Sequence, residues 1–271
     1  MSATTVLVSR KGYFDMNEEC RPDWKIDQLR LTSFLIDDSR PKDLEKWWNQ
    51  ATGTESLKSE KGTFSFSELG IFRDRLLHLQ WHPGRFDWFI RPPAMDKLET
   101  IGGFEEAKEL FGIYLGNWLK LPACPLSRRL AVGMQLVQPM PSPRDAHVFL
   151  SSLLQKTVRI DPDTMRDLLY RVNRPMKSKV LETVNLNRLA TWLIGTWQTV
   201  VVEIQVGLFP TAPVMPRTQG TPILVCRLEL DINTEETPGF QIPQHLLRRT
   251  MDVLIEQASE IARFGDDDVK H

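Results

Sequence analysis

The apolar positions of this chain change period several times along its length. From Ile26 to Ile36 they alternate: Leu29, Leu31 and Ser33 fall on one side and Arg30, Thr32 and Phe34 on the other, the two-residue period of a strand. "SRPKDLEKWWNQ" then predicts a helix, with Ser39 as N-cap and Pro41 in the first turn, where its missing N–H leaves no bond unmade. Strand-like "GTFSFSEL" follows. Next, "RLLHLQWHPGRFDWFIRP" alternates on both sides of Pro83 and Gly84, which predicts a hairpin. Leu77, Leu79, Trp81, Phe86, Trp88 and Ile90 form its apolar face, and His78, Gln80, Arg85 and Asp87 its wet one. Phe89 is left among the polar residues with Arg91. From Gly102 the period lengthens: Phe104, Ala107, Leu110, Phe111, Tyr114, Leu115 and Trp118 recur at three and four, the stripe of an amphipathic helix.

The same order then runs again. "RRLAVGMQLVQ" alternates, "SPRDAHVFLSSLLQ" opens a helix, "RDLLYRVNR" and "PILVCRLELDIN" read as strands, and a helix from Pro243 carries Leu246, Leu247, Val253, Leu254 and Ile261 at helical spacing. In the last strand Val225, Arg227, Glu229 and Asp231 share a face. The segment from Asn185 to Gln205 fits a helix through Leu186, Leu189, Leu193 and Trp197, but Gly195 and the Thr and Val that follow favour a strand. Hairpin-linked strands are antiparallel, and few helices are present to cover them. The expectation is an α+β protein of two weakly similar halves, 1–126 and 127–271. Each is a strand-helix-strands-helix unit, with an antiparallel sheet covered by helices on one face.

One stretch breaks the pattern. "VGLFPTAPVMPRTQGTP", residues 206–222, has four prolines and two glycines and reads as an irregular loop, yet it is apolar. Apolar side chains on a loop pack back on the body or mark a contact, which makes Phe209, Val214 and Met215 candidate partner-binding residues.

Composition narrows the function classes. With 41% hydrophobic and 25% charged residues the chain has the balance of a folded protein rather than a disordered one. The net charge of -1 gives no general surplus for binding a polyanion. The halves differ mildly, with 17 basic against 19 acidic residues over 1–126 and 16 against 13 over 127–264. Cys20, Cys124 and Cys226 are too far apart for a metal knuckle and odd in number for a disulfide framework. No signal-peptide pattern opens the chain, and the apolar run from Leu189 is too short for a membrane helix, which implies a cytoplasmic location.

Phosphate loops, dinucleotide glycine fingerprints, His-Glu-x-x-His and nucleophile elbows are all missing from the sequence. His78 and His82 fall in a strand and its turn, where a spacing of four does not bring ligands together, so no metal site and no cofactor is expected. Asp161 and Asp163 in "RIDPDTMRD" fit a turn or a cap. Residues 156–188 have four more basic than acidic side chains, and there Arg171, Arg174, Lys177 and Lys179 with Tyr170 could hold a nucleic-acid strand through phosphates and one stacked base. Lysines at a sheet edge that discourage pairing are the plainer alternative.

Four short motifs, "RRLAVGM", "YRVNRP", "VNLNRLATW" and "LELDIN", resemble a sporadically distributed family of uncharacterised bacterial proteins of similar length. That resemblance covers mainly residues 127–264 and implies a bacterial accessory-genome protein, with no catalytic residues to carry over. The doubled element order is also similar to the duplicated saddle of the TATA-binding protein fold, an analogy of order that carries no function. The leading expectation is a non-catalytic intracellular binding or assembly protein that contacts itself or another protein, with eight Trp available for contacts or core. A small-molecule binder or enzyme with a cleft between the halves is the second reading, and nucleic-acid binding the third.

Overall fold

The structure is a computed structural model that describes residues 22–93, 99–122, 124–201 and 217–266. Among these, eleven strands form one sheet. In chain order they are β1 (Lys25–Leu35), β2 (Lys58–Lys61), β3 (Phe66–Phe72), β4 (Arg75–His82), β5 (Arg85–Arg91), β6 (Gly102–Gly103), β7 (Ser127–Pro139), β8 (Leu169–Asn173), β9 (Met176–Lys177), β10 (Asn185–Val201) and β11 (Arg217–Thr234). The helices are α1 (Trp47–Thr52), α2 (Phe104–Trp118), α3 (Pro143–Leu153) and α4 (Leu247–Phe264). The strand order is β2-β3-β4-β5-β1-β7-β11-β10-β8, with β6 beside β1 and β9 beside β10, and every ladder is antiparallel. β1 and β7 pair directly, so residues on either side of 126 belong to one continuous sheet.

Strand alternation sorts side chains between two unlike faces. One face carries Leu29 and Leu31 on β1, Trp81 on β4, Phe86 and Trp88 on β5, Leu130 and Val132 on β7, Leu228 on β11 and Trp192 on β10, all buried. The helices lie on this face. Trp47 of α1 and Trp118 of α2 meet Phe86 edge-to-face at 5.4 and 4.8 Å. The Cys226 thiol of β11 reaches the Ala146 carbonyl of α3. Arg248 of α4 donates to the Gly112 carbonyl of α2 at 2.5 Å, which sets α4 beside α2. Glycine at 116 leaves room for the Arg248 guanidinium, since a Cβ there would sit 1.5 Å from it and the flexible arginine would have to move. Burial of this face supplies most of the driving force for folding.

Several local expectations hold. The hairpin turns at Pro83 and Gly84, with Gly84 at φ 73°, and the Ser142 hydroxyl caps α3 by accepting from the Asp145 N–H, with Pro143 in the first turn. The segment from Asn185 is a strand, as its β-branched residues favour.

Three expectations need correction. Ser39 does not cap a helix: its N–H and hydroxyl bond the Asp37 carboxylate in a turn, and the helical path starts with a 3-10 turn at Leu44–Lys46 before α1. Of the irregular loop expected over 206–222, Arg217 to Pro222 instead belong to β11, and 206–216 lie outside the described residues. Pro222 is accommodated there because the β10–β11 ladder shifts register between Trp197 and Thr199, where a missing N–H interrupts nothing. Taken by itself, the acidic "GDDDVKH" segment reads as a frayed, solvated tail, yet its first two residues are fixed. Gly265 takes φ 73°, Asp266 is buried, and its carboxylate receives Arg174 at 2.5 and 2.9 Å and the Tyr170 hydroxyl at 2.7 Å. Sequence alone hid this contact because its partners lie about ninety residues apart.

Candidate functional site

No helix lies on the opposite face of the sheet among the described residues, and its side chains are organised. A single row crosses nine strands: Asn173, Leu189, Asp231, Gly133, Arg30, Phe89, His78, Leu69 and Lys58. The centre is low, because Ala131 and Gly133 are small, and a Cβ at Gly133 would come within 3.1 Å of the Arg30 guanidinium lying over it.

Hydrogen bonds knit this face across strands. The Asn173 amide donates to the Asn187 side-chain carbonyl at 3.2 Å, and Asn187 donates to that of Asn233 at 3.1 Å. Arg129 donates to the same Asn233 oxygen at 2.9 Å, Asn233 donates to Asp231 at 2.8 Å, and Asp231 receives Arg30 at 3.3 Å. The chain therefore runs from the edge strand β8 to β1. Farther on, Thr32 donates to Asp87, which also receives Arg85 at 2.7 and 2.8 Å. These bonds hold the side chains of the network in fixed positions, although the buried Nε atoms of Arg30 and Arg129 make none. Asn173, Asn187, Arg129, Asp231 and Asn233 come from "YRVNRP", "VNLNRLATW", "RRLAVGM" and "LELDIN", so the four motifs that stand out in the sequence meet here, joined by Arg30, Thr32, Arg85 and Asp87.

Cations and rings are interleaved beside it. Phe34 lies between the guanidinium groups of Arg85 and Arg129, at 5.5 and 4.9 Å from its centroid, and Phe89 sits under Arg91 at 4.8 Å with the His78 ring 6.0 Å away. The polar setting of Phe89 seen in the sequence thus resolves into a cation–π contact. Between Ile26 and Gln28 the β1–β7 register shifts, and Asp27 is the extra residue. Burial raises its carboxyl above the usual range, opposed by Arg227 and Arg91. The face is richer in arginine than the near-neutral chain suggests, although several of these arginines are paired with acids.

The Ser67 hydroxyl and His78 Nε2 are 3.0 Å apart, but among the described residues no carboxylate is hydrogen-bonded to the other ring nitrogen to orient a nucleophile–base pair. Burial lowers the His78 pKa, with a smaller effect of Arg91. The thiols of Cys124 and Cys226 are pushed up to about 12 by burial, which keeps them protonated and inert. Among the described residues no group of three His, Cys, Asp or Glu could hold a metal ion, and no helix is long and apolar enough to cross a membrane.

The basic candidates are dispersed by alternation. Arg171 is exposed on the uncovered face, whereas Tyr170 and Arg174 turn to the helix side, Tyr170 packing 5.7 Å from Trp192 and both bonding Asp266. Lys177 is exposed on β9 and Lys179 in the turn after it. Phe209, Val214, Met215 and Cys20 lie outside the described residues. The loop's described flanks are informative, because β10 and β11 continue beyond the ends of β8 at Leu169 and β7 at Pro139 as a two-stranded arm. On the helix side, a groove of about 640 Å³ between α2 and α4 is lined by Lys108, Gly112, Arg248, Asp252, Ser259 and Arg263, among others. Sequence reasoning missed Asn173, Asn187, Asn233 and Arg129. The signal for them was the alternation that places Asp231 and Asn233 on one face of a strand. No family model, curated protein or solved structure matches this chain.

Proposed function

We propose that this protein is a non-catalytic binding or assembly module, bacterial and cytoplasmic, whose protein partner or second copy rests on the uncovered sheet face and the β10–β11 arm. The observation that carries this reading is the one-sided placement of the described helices, which leaves a face nine strands wide with a prebuilt hydrogen-bond network and no helix over it among the described residues. A fixed array of polar groups lowers the ordering cost of association, and a two-stranded arm whose edges are open among the described residues offers backbone groups for pairing. The halves 1–126 and 127–271 fit this proposal as copies of one unit, since β1-α1 with β2 to β6 and α2 runs in much the same order as β7-α3 with β8 to β11 and α4, the first half carrying one short strand more.

The test is association in solution. Light scattering after size exclusion and affinity co-purification are compared between the whole chain, a deletion of 209–215 and Thr191→Arg, which places bulk on the uncovered face. Both variants are expected to keep the circular dichroism of the parent and lose its association. Unchanged oligomeric state and unchanged co-purifying proteins in both variants would show that neither the arm nor the face is a contact.

A further inference from the structure

A depression of about 410 Å³ lies on the uncovered face where β8, β10 and β11 run beside β7 and β1. Its outer wall repeats along the strands. Leu169 of β8 is paired with Leu193 of β10, the next pair on this face is Arg171 with Thr191, and the next carries Leu189 opposite Asn173. One face therefore reads apolar, cationic, apolar at a spacing of about 7 Å, two residues of strand. Leu169 is 71% exposed, which is unusual for a leucine in a strand with a formed core behind it.

The charges of the depression are unevenly satisfied. Asp231 is held by Arg30 and Asn233, and Glu229 lies 3.7 Å from Arg227. Arg171 has no hydrogen bond or ion pair among the described residues. The open position is that of an anion beside Arg171, between two apolar patches, with the Thr191 hydroxyl next to it and the Gln28 and Gln135 amides farther along the same row.

We propose that this depression receives an extended peptide segment whose downward side chains read apolar, acidic, apolar at alternate positions. A strand laid over the sheet repeats its side chains at the same spacing as β8 and β10, so its acidic group meets Arg171 when its apolar groups meet Leu169 with Leu193 and Leu189. The proposal rests on the reading of the uncovered face as a binding surface and specifies the chemistry of its occupant.

The probe is a fluorescein-labelled peptide, acetyl-Gly-Leu-Ser-Glu-Ser-Leu-Gly-amide, titrated with the whole chain and followed by anisotropy at low salt. Two companions replace the Glu by Lys or both Leu by Ser. The parent is expected to bind the Glu peptide at least about tenfold more tightly than either companion. Arg171→Glu, which breaks no contact seen in the fold, is expected to lose the Glu peptide and to favour the Lys peptide. Absence of binding at millimolar protein overturns the proposal. Equal binding of the Glu and Lys peptides also overturns it, as does equal binding of the Ser-flanked peptide, which would mean an adventitious anion only. The broader reading of the face is judged separately: loss of association in Thr191→Arg without peptide binding leaves the face as a contact and removes only this occupant.

Discussion

The two faces of the sheet come from the same strands, residue by residue, and are held by opposite means. On the helix side the N-terminal strands carry a cluster of rings. Trp118 lies 5.2 Å from Trp47, 4.8 Å from Phe86 and 5.8 Å from Trp88, all edge-to-face. The indole N–H groups of Trp47, Trp81, Trp88 and Trp118 have no hydrogen-bond partner, and neighbouring ring faces serve as weak acceptors for such edges. Geometry there follows from close packing. On the uncovered side Asn233 has three polar partners, Arg129, Asn187 and Asp231, and geometry follows from hydrogen bonds. The covered face supplies stability through packing, and under the proposed function the other face serves recognition. This division of work is open to breaking by substitution on each side.

The largest effect belongs to the covered face. Trp118→Ala removes a ring that is 1% exposed and touches α1 and β5 at once, and is expected to cost about 3–5 kcal/mol in urea unfolding, enough to unfold a marginal domain. A loss below about 1 kcal/mol would mean that the ring cluster is loosely packed and that the faces do not divide the work as stated.

On the other face, Asn233→Ala is expected to cost about 1–2 kcal/mol, the price of leaving Arg129 and Asn187 without their shared acceptor. Its larger consequence is on association, which is expected to weaken at a temperature where the variant is still fully folded. The same light-scattering measurement reads this. If Asn233→Ala destabilises as much as Trp118→Ala with no change in association, the network is a structural brace and the uncovered face loses its special status.

Alternation made much of this contrast legible in the sequence. Leu29 and Leu31 against Arg30 and Thr32, or Leu77 and Leu79 against His78 and Gln80, state which residues share a face because the strand period is two whatever the partner strand. Phase is not address, however. Nothing local in "LELDIN" says that Asp231 faces Arg30 from 201 residues away, or that Asn233 bonds Arg129, because these follow from the β1–β7–β11 order and its register. The same limit holds for the basic stretch. Tyr170 and Arg171 are neighbours in sequence and stand on opposite faces, one tied to Asp266 and the other open to solvent. Ser39 went astray for a different reason: its Ser-Arg-Pro pattern matches Ser142 before α3, but Asp37 competes for the hydroxyl and wins.

The smallest expected effect is also the one most specific to the uncovered face. Asp27 occupies the bulge at its centre, and burial raises its carboxyl despite Arg227 and Arg91 nearby. A carboxyl whose folded pKa lies above its unfolded value binds its proton more tightly when folded. It therefore costs no stability below the usual aspartate range, and the cost grows as pH rises from there through the raised pKa and is constant above it. Asp27→Asn is accordingly expected to raise the thermal midpoint at pH 7, with the gain shrinking as pH falls and vanishing at pH 3. Under the proposed function, a carboxylate kept at a cost in stability on the face that no described helix covers is a group retained for recognition. A variant less stable than the parent at pH 7 would show that attraction to the two arginines outweighs burial, and Asp27 would then belong with Asp87 and Asp231, whose carboxylates are tied to arginine within the face.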